Sequence, residues 1–196
     1  MIEIDEVAKS NVKIWGMPPD VHVPIAARDK TAITKYIGTI TAIPRVNPEK
    51  GFIVTPYPCQ PPNPRLPLWK VKESMILHCS KQVWVHVKYT RYRKAYIKAC
   101  PDENLQGLFL DHIMNRRIAI LKRFFYLRIN PVLPGVNTSS GTITEVYGLN
   151  FQMQNRSQSP FIQYADISAL VKMLNLKTGG KFQDGIRDAL YLVDEE

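Results

Sequence analysis

Four histidines and three cysteines are the side chains that could hold a metal, move a proton or act as a nucleophile, and their spacing supports none of these. His22, His78, His86 and His112 stand far apart, and Cys59, Cys79 and Cys100 form no C-x-x-C pair. Structural zinc takes four ligands in close pairs, so no metal site is expected, and three reduced thiols suit an intracellular compartment. Asp111 adjoins His112, but neighbours on a helix point apart. Ser139-Ser-Gly141 lacks the flanking pattern of a nucleophile elbow. Lys177-Thr-Gly-Gly180 lacks the spacing of a phosphate loop and reads as a helix C-cap. No acid, base, nucleophile and metal set converges, so neither catalysis nor a cofactor is expected.

Charge is the stronger signal. Lys81 to Arg128 holds eleven Lys/Arg against Asp102, Glu103 and Asp111, which leaves +8 of the chain's +9 in this one block. Such a block attracts polyanions: RNA, DNA or an anionic membrane surface. Its candidate binding cations are Lys88, Arg91, Arg93, Lys94, Lys98, Arg116, Arg117, Lys122, Arg123 and Arg128, with Trp84, Tyr92 and Tyr96 as candidates for stacking on unpaired bases. Arg116 and Arg123 are seven apart, hence two turns along one face of an expected helix.

The elements that must position these groups follow from periodicity. The β-branched stretch Ile33–Ile43 favours strand, and Gly51–Thr55 gives a second. Val83–Tyr89 is the clearest strand, with Val83, Val85, Val87 and Tyr89 on one face and Trp84, His86 and Lys88 on the other. Pro101-Asp-Glu103 opens an expected central basic helix, whose apolar spacing runs from Leu105 to Leu127 and which must stop before Asn130-Pro131. Ile143–Met153 alternates as a long strand. Asp166 caps a short helix, Ile167–Leu176, and Phe182–Val193 forms a last short element. Strands and helices mix without βαβ alternation. The expected class is therefore α+β, with a mainly antiparallel sheet packed on the central helix and one or two short C-terminal helices.

Residues 1–30, interrupted by Pro18, Pro19 and Pro24, read as an irregular arm with a short strand at Val12–Trp15; residues 31–196 read as one domain. Six of the fifteen prolines fall between Pro56 and Pro67, a loop expected to be extended polyproline that could dock into an aromatic groove of a partner. The acidic start lacks a signal-peptide profile, and no run reaches the roughly 18 apolar residues of a membrane span, so a cytoplasmic or nuclear protein is expected. The sequons at Asn137 and Asn155 are then chance matches.

In overall plan, the strand Val83-Trp-Val-His-Val-Lys-Tyr89, the stretch Leu105–Leu127 and the strand Ile143–Met153 together resemble the matrix proteins of negative-strand RNA viruses, rhabdovirus type. The resemblance implies a basic, non-catalytic structural adaptor of the virion and host cell that condenses ribonucleoprotein, associates with anionic membrane and self-assembles. Pro18-Pro-Asp-Val21 and Pro61-Pro-Asn-Pro64 lack the tyrosine of the PPxY motif common in its animal-virus members. The other reading of the same block is a single-stranded RNA-binding protein, of a ribosome-associated or silencing-suppressor type.

Overall fold

Pro24 opens the first strand, β1 (Pro24–Ala27), at a position where a strand tolerates a missing N–H. The computed structural model describes residues 23–58, 80–134, 160–165, 169, 172, 173 and 175. Within the stretch expected to be an irregular arm, then, four residues form a wholly buried strand with a neighbour on each edge of it. Asp29 follows, and its carboxylate accepts from the Ala32 N–H at 2.7 Å to start helix α1 (Lys30–Tyr36). The isoleucine- and threonine-rich run therefore begins as helix and becomes strand only at β2 (Gly38–Ala42). Gly38 permits that change, because a Cβ there would stand 2.7 Å from Pro56 Cα on the paired strand.

Strands β3 (Gly51–Pro56) and β4 (Gln82–His86) form where the sequence suggests. Residues 92–99, beyond the strand expected at Val83–Tyr89, make helix α2 (Tyr92–Ala99), which buries Ala95, Tyr96 and Ala99. The expected central helix is absent. Gly107 adopts φ +75°, β5 (Phe109–His112) is extended, and only α3 (Arg116–Leu121) is helical before β6 (Tyr126–Val132). Asn115 Oδ1 begins α3 afresh by accepting from the Arg117 N–H at 2.7 Å. The last described strand is β7 (Ile162–Tyr164).

Among the described residues every pairing is antiparallel, in the order β2-β3-β4-β6-β1-β7, with β5 also on β6. The α+β class holds, with short helices on a curled antiparallel sheet. β6 is shared: β4 takes one edge, while β1 and β5 divide the other. Pro131 sits inside it without breaking the ladder. Arg128 O accepts from Ile113 N on the β5 side, so by alternation the absent N–H of residue 131 faces the β4 edge. Pairing on that edge ends at Val83–Ile129.

Both faces of β4 are covered. Trp84 lies in one core cluster with Phe52 and Phe124, whereas Val83 and Val85 lie in a second with Ile129 and with Ala95 and Ala99 of α2. A half-buried strand with a polar outer face is therefore not what forms. Ala169, Lys172 and Met173 are helical, in keeping with the short helix expected there. The expected elements at Val12–Trp15, Ile143–Met153 and Phe182–Val193, and residues 59–67 of the proline segment, lie outside the described residues. Among the described residues no helix is long and apolar enough to cross a membrane.

Candidate polyanion-binding site

Three of the thirteen candidate residues are inside the protein. Trp84 is fully buried and donates from Nε1 to Gln82 Oε1 at 2.9 Å. Tyr96 donates its hydroxyl to Glu103 Oε2 at 2.8 Å, and burial holds its pKa far above the usual tyrosine value. Arg128 stands opposite Trp84 across the β4–β6 pair, buried; desolvation pushes its pKa down to about 9, which leaves it a cation at neutral pH. All three are buried and present no outer surface to a base or a phosphate, although Tyr96 and Arg128 line a cleft. Their burial is not visible in the sequence: Trp84 and Arg128 lie in a sheet covered on both faces, and Tyr96 lies on the inner face of α2.

The remaining cations cluster at helix ends. Arg91 is the N-cap of α2, without a side-chain cap, and Arg93 and Lys94 follow in its exposed first turn. Arg116 and Arg117 are the exposed first two residues of α3. Neither helix has an acidic residue in its first turn. Lys88 is exposed in the turn after β4; Lys98, in the last turn of α2, donates to Arg45 O at 3.3 Å. Lys122 is half-buried and reaches Gln163 Oε1 at 3.4 Å.

Arg123 is not on the helical face expected for it. It lies past α3 with φ +62°, while Arg123 N donates to Ile120 O at 3.1 Å and Phe124 N to Ala119 O at 2.8 Å. This is a Schellman cap, whose left-handed residue is usually glycine.

His112 joins the two groups of cations. Its ring lies 4.3 Å from that of Tyr92, the first residue of α2, and Tyr92 in turn lies under the Arg93 guanidinium at 5.5 Å. Burial pushes the His112 pKa down to about 4; Asp111 opposes that, while Arg116, Lys172 and Arg93 act in the same direction. Arg93 of α2 and Arg116 of α3 are thus both near enough to act on one imidazole. Its Nε2 is buried with no hydrogen-bond partner among the described residues. Asp111, the one acid of β5, is engaged by Lys172 Nζ at 2.7 Å. Of the stacking candidates only Tyr92 remains, half-buried between His112 and Arg93.

A separate cleft of about 510 Å³ is bordered by Lys81, Tyr96, Cys100, Glu103 and Asn130. Lys81 donates to Ala99 O at 2.7 Å, and burial raises the Cys100 thiol pKa. That thiol is held protonated and is a poor nucleophile. Among the described residues no three His, Cys, Asp or Glu side chains gather to hold a metal. No protein-family model, curated protein or solved structure matches this chain.

Proposed function

We propose that the chain is a non-enzymatic, matrix-like structural adaptor of a virus that binds the phosphates of a ribonucleoprotein through the first turns of α2 and α3 and through Arg123. One observation carries the reading: the exposed cations occupy positions where the fold itself favours something else. A helix N-terminus is the positive end of its dipole and favours acids, by about 0.3–1 kcal/mol each, yet Arg93, Lys94, Arg116 and Arg117 occupy two of them. A left-handed cap favours glycine, yet Arg123 fills it. Local rules broken together in one region point to function. Phosphate relieves the conflict, because it neutralises the cations and accepts from the N–H groups of the first turn of α2, which has no side-chain cap.

Backbone contact fits better than base reading, since Trp84 and Tyr96 are enclosed in the core. The test is charge reversal at Arg91, Arg93, Lys94, Arg116 and Arg123, read by fluorescence anisotropy on a single-stranded RNA across a salt series. Affinity falls, and the slope of log K against log salt shrinks by about 0.7 per contact removed. Unchanged affinity and slope would show that the site is elsewhere. Sedimentation separates the matrix-like reading from a plain RNA binder, since only the former predicts self-association.

A further inference from the structure

We infer that the cleft where β4 and β6 part is a binding site for a small carboxylate with an apolar body. The two strands pair as far as Val83 and Ile129. Beyond that point Pro131 has no N–H to offer. The chain on either side, Lys81 and Gln82 from one strand and Asn130 and Pro131 from the other, borders an opening of about 510 Å³. Sites for small ligands run from about 300 to 1,000 Å³. One wall of the opening is fixed by hydrogen bonds to the chain beyond it. Asn175 Oδ1 accepts from Leu133 N at 2.7 Å, Asn175 Nδ2 donates to Pro131 O at 3.3 Å, and Asn130 Nδ2 donates to Met173 O at 3.4 Å. A wall already held in place leaves less to order when a ligand enters.

The lining sorts ligands by charge. Its buried part carries a cation and a phenol: Arg128 is 2% exposed, Tyr96 is buried, and the two are near enough to act on one another electrostatically. Its exposed part carries the acids, Asp102 and Glu103, with Lys81, whose ammonium donates to Ala99 O at 2.7 Å. Glu103 accepts from the Tyr96 hydroxyl, which ties the acid rim to the buried end. Charge is thus graded from a buried cation to exposed anions. A planar guanidinium suits a carboxylate, which can accept two parallel N–H bonds from it. The rim acids oppose a dianion such as free phosphate, and oppose a nucleic-acid strand more strongly. Val83, Leu108 and Ile129 supply apolar wall for the body of the ligand. The cleft shares no side chain with the exposed cations proposed to meet RNA, so either assignment can fail alone.

The experiment titrates the full, isotope-labelled chain with benzoate, benzamide and inorganic phosphate and follows the backbone amide resonances. Benzoate should shift the amides of Lys81, Gln82, Glu103 and Leu108 and saturate with a Kd of about 1 mM or tighter. Benzamide, its neutral counterpart, should bind about tenfold more weakly, because it loses the charge-assisted bonds. Leu108→Trp, which puts an indole into the cleft wall, should abolish the benzoate shifts and keep the affinity for single-stranded RNA. Arg128→Met should remove the preference for benzoate over benzamide. The inference fails if benzoate leaves these amides unmoved, if benzamide matches it, or if Leu108→Trp binds benzoate like the parent. Phosphate binding in preference to benzoate would overturn the choice of a carboxylate. Should Arg128→Met not fold, the benzamide comparison and Leu108→Trp decide.

Discussion

Replacing Lys94 by glutamate should make the protein more stable and a poorer polyanion binder at the same time. Lys94 is exposed in the first turn of α2, four residues before Lys98, and has no acidic neighbour in that turn. Removing a cation from the positive end of a helix dipole and adding an anion there contributes about 0.3–1 kcal/mol for each step. The substitution also turns a like-charged i,i+4 pair into an acid four residues ahead of Lys98, the better orientation, which adds about 0.2–0.5 kcal/mol. The sum is roughly 1–2 kcal/mol, or about 2–8 °C in Tm for a chain of this size. Differential scanning fluorimetry in low salt reads the gain, and it should shrink at high salt as screening removes the charge terms. Anisotropy on single-stranded RNA reads the loss. A lower Tm in Lys94→Glu would refute the dipole argument. A higher Tm with unchanged RNA affinity would keep the helix argument and remove Lys94 from the site.

His112 should set part of the acid limb of stability. Its folded pKa of about 4 lies below the ordinary 6.5, so the unfolded chain binds the extra proton first. Stability is full above pH 6.5 and falls as pH drops towards 4, by an amount on the order of 3 kcal/mol; His112→Gln should flatten the dependence of Tm on pH across that window, and an unchanged slope would count against a buried neutral imidazole. Arg123→Gly should raise stability by about 1 kcal/mol by relieving the left-handed cap, with weaker RNA binding, both read as for Lys94. Tyr96→Phe should lower stability by about 1 kcal/mol through the lost bond to Glu103 and leave RNA affinity untouched; a binding defect at native stability would return Tyr96 to the surface.

The sheet was legible where one element has one signature. Gly51–Pro56 and Gln82–His86 are runs of β-branched and aromatic residues bounded by polar positions, and both are strands. The stretch from Leu105 to Leu127 misleads because its apolar positions fit a 3.6-residue period by coincidence. Two local signals contradict the helix and outrank the period: Gly107 in a left-handed turn, and Asn115 capping a new helix. β6 is apolar along most of its length and buried on both faces, and such a strand cannot be told from a buried helix by periodicity. α2 escaped notice because its buried face is small, made of Ala95, Tyr96 and Ala99 beneath a polar surface. The basic block itself was legible as charge. Which cations face water was not, because Arg128 is buried by what covers the face it shares with Trp84, which no local pattern reveals.

That distinction sets an upper bound on the electrostatics of binding. Counting every cation of the block treats Arg128 as a phosphate ligand, although its guanidinium serves the interior, and it treats Lys98 and Lys122 as unengaged although each reaches a protein oxygen. Among the described residues, the exposed candidates with no hydrogen-bonded acceptor are Lys88, Arg91, Arg93, Lys94, Arg116, Arg117 and Arg123. If all seven met phosphates of a single strand, log K against log salt would fall with a slope of about −5. The ten cations read from the sequence would give about −7 on the same scale. A measured slope near −7 would mean that cations outside this surface reach the RNA or that Lys98 and Lys122 leave their partners. A slope at or shallower than −5 is what the helix-end arrangement requires. It would also separate a site built at two helix starts from a basic surface that merely follows composition.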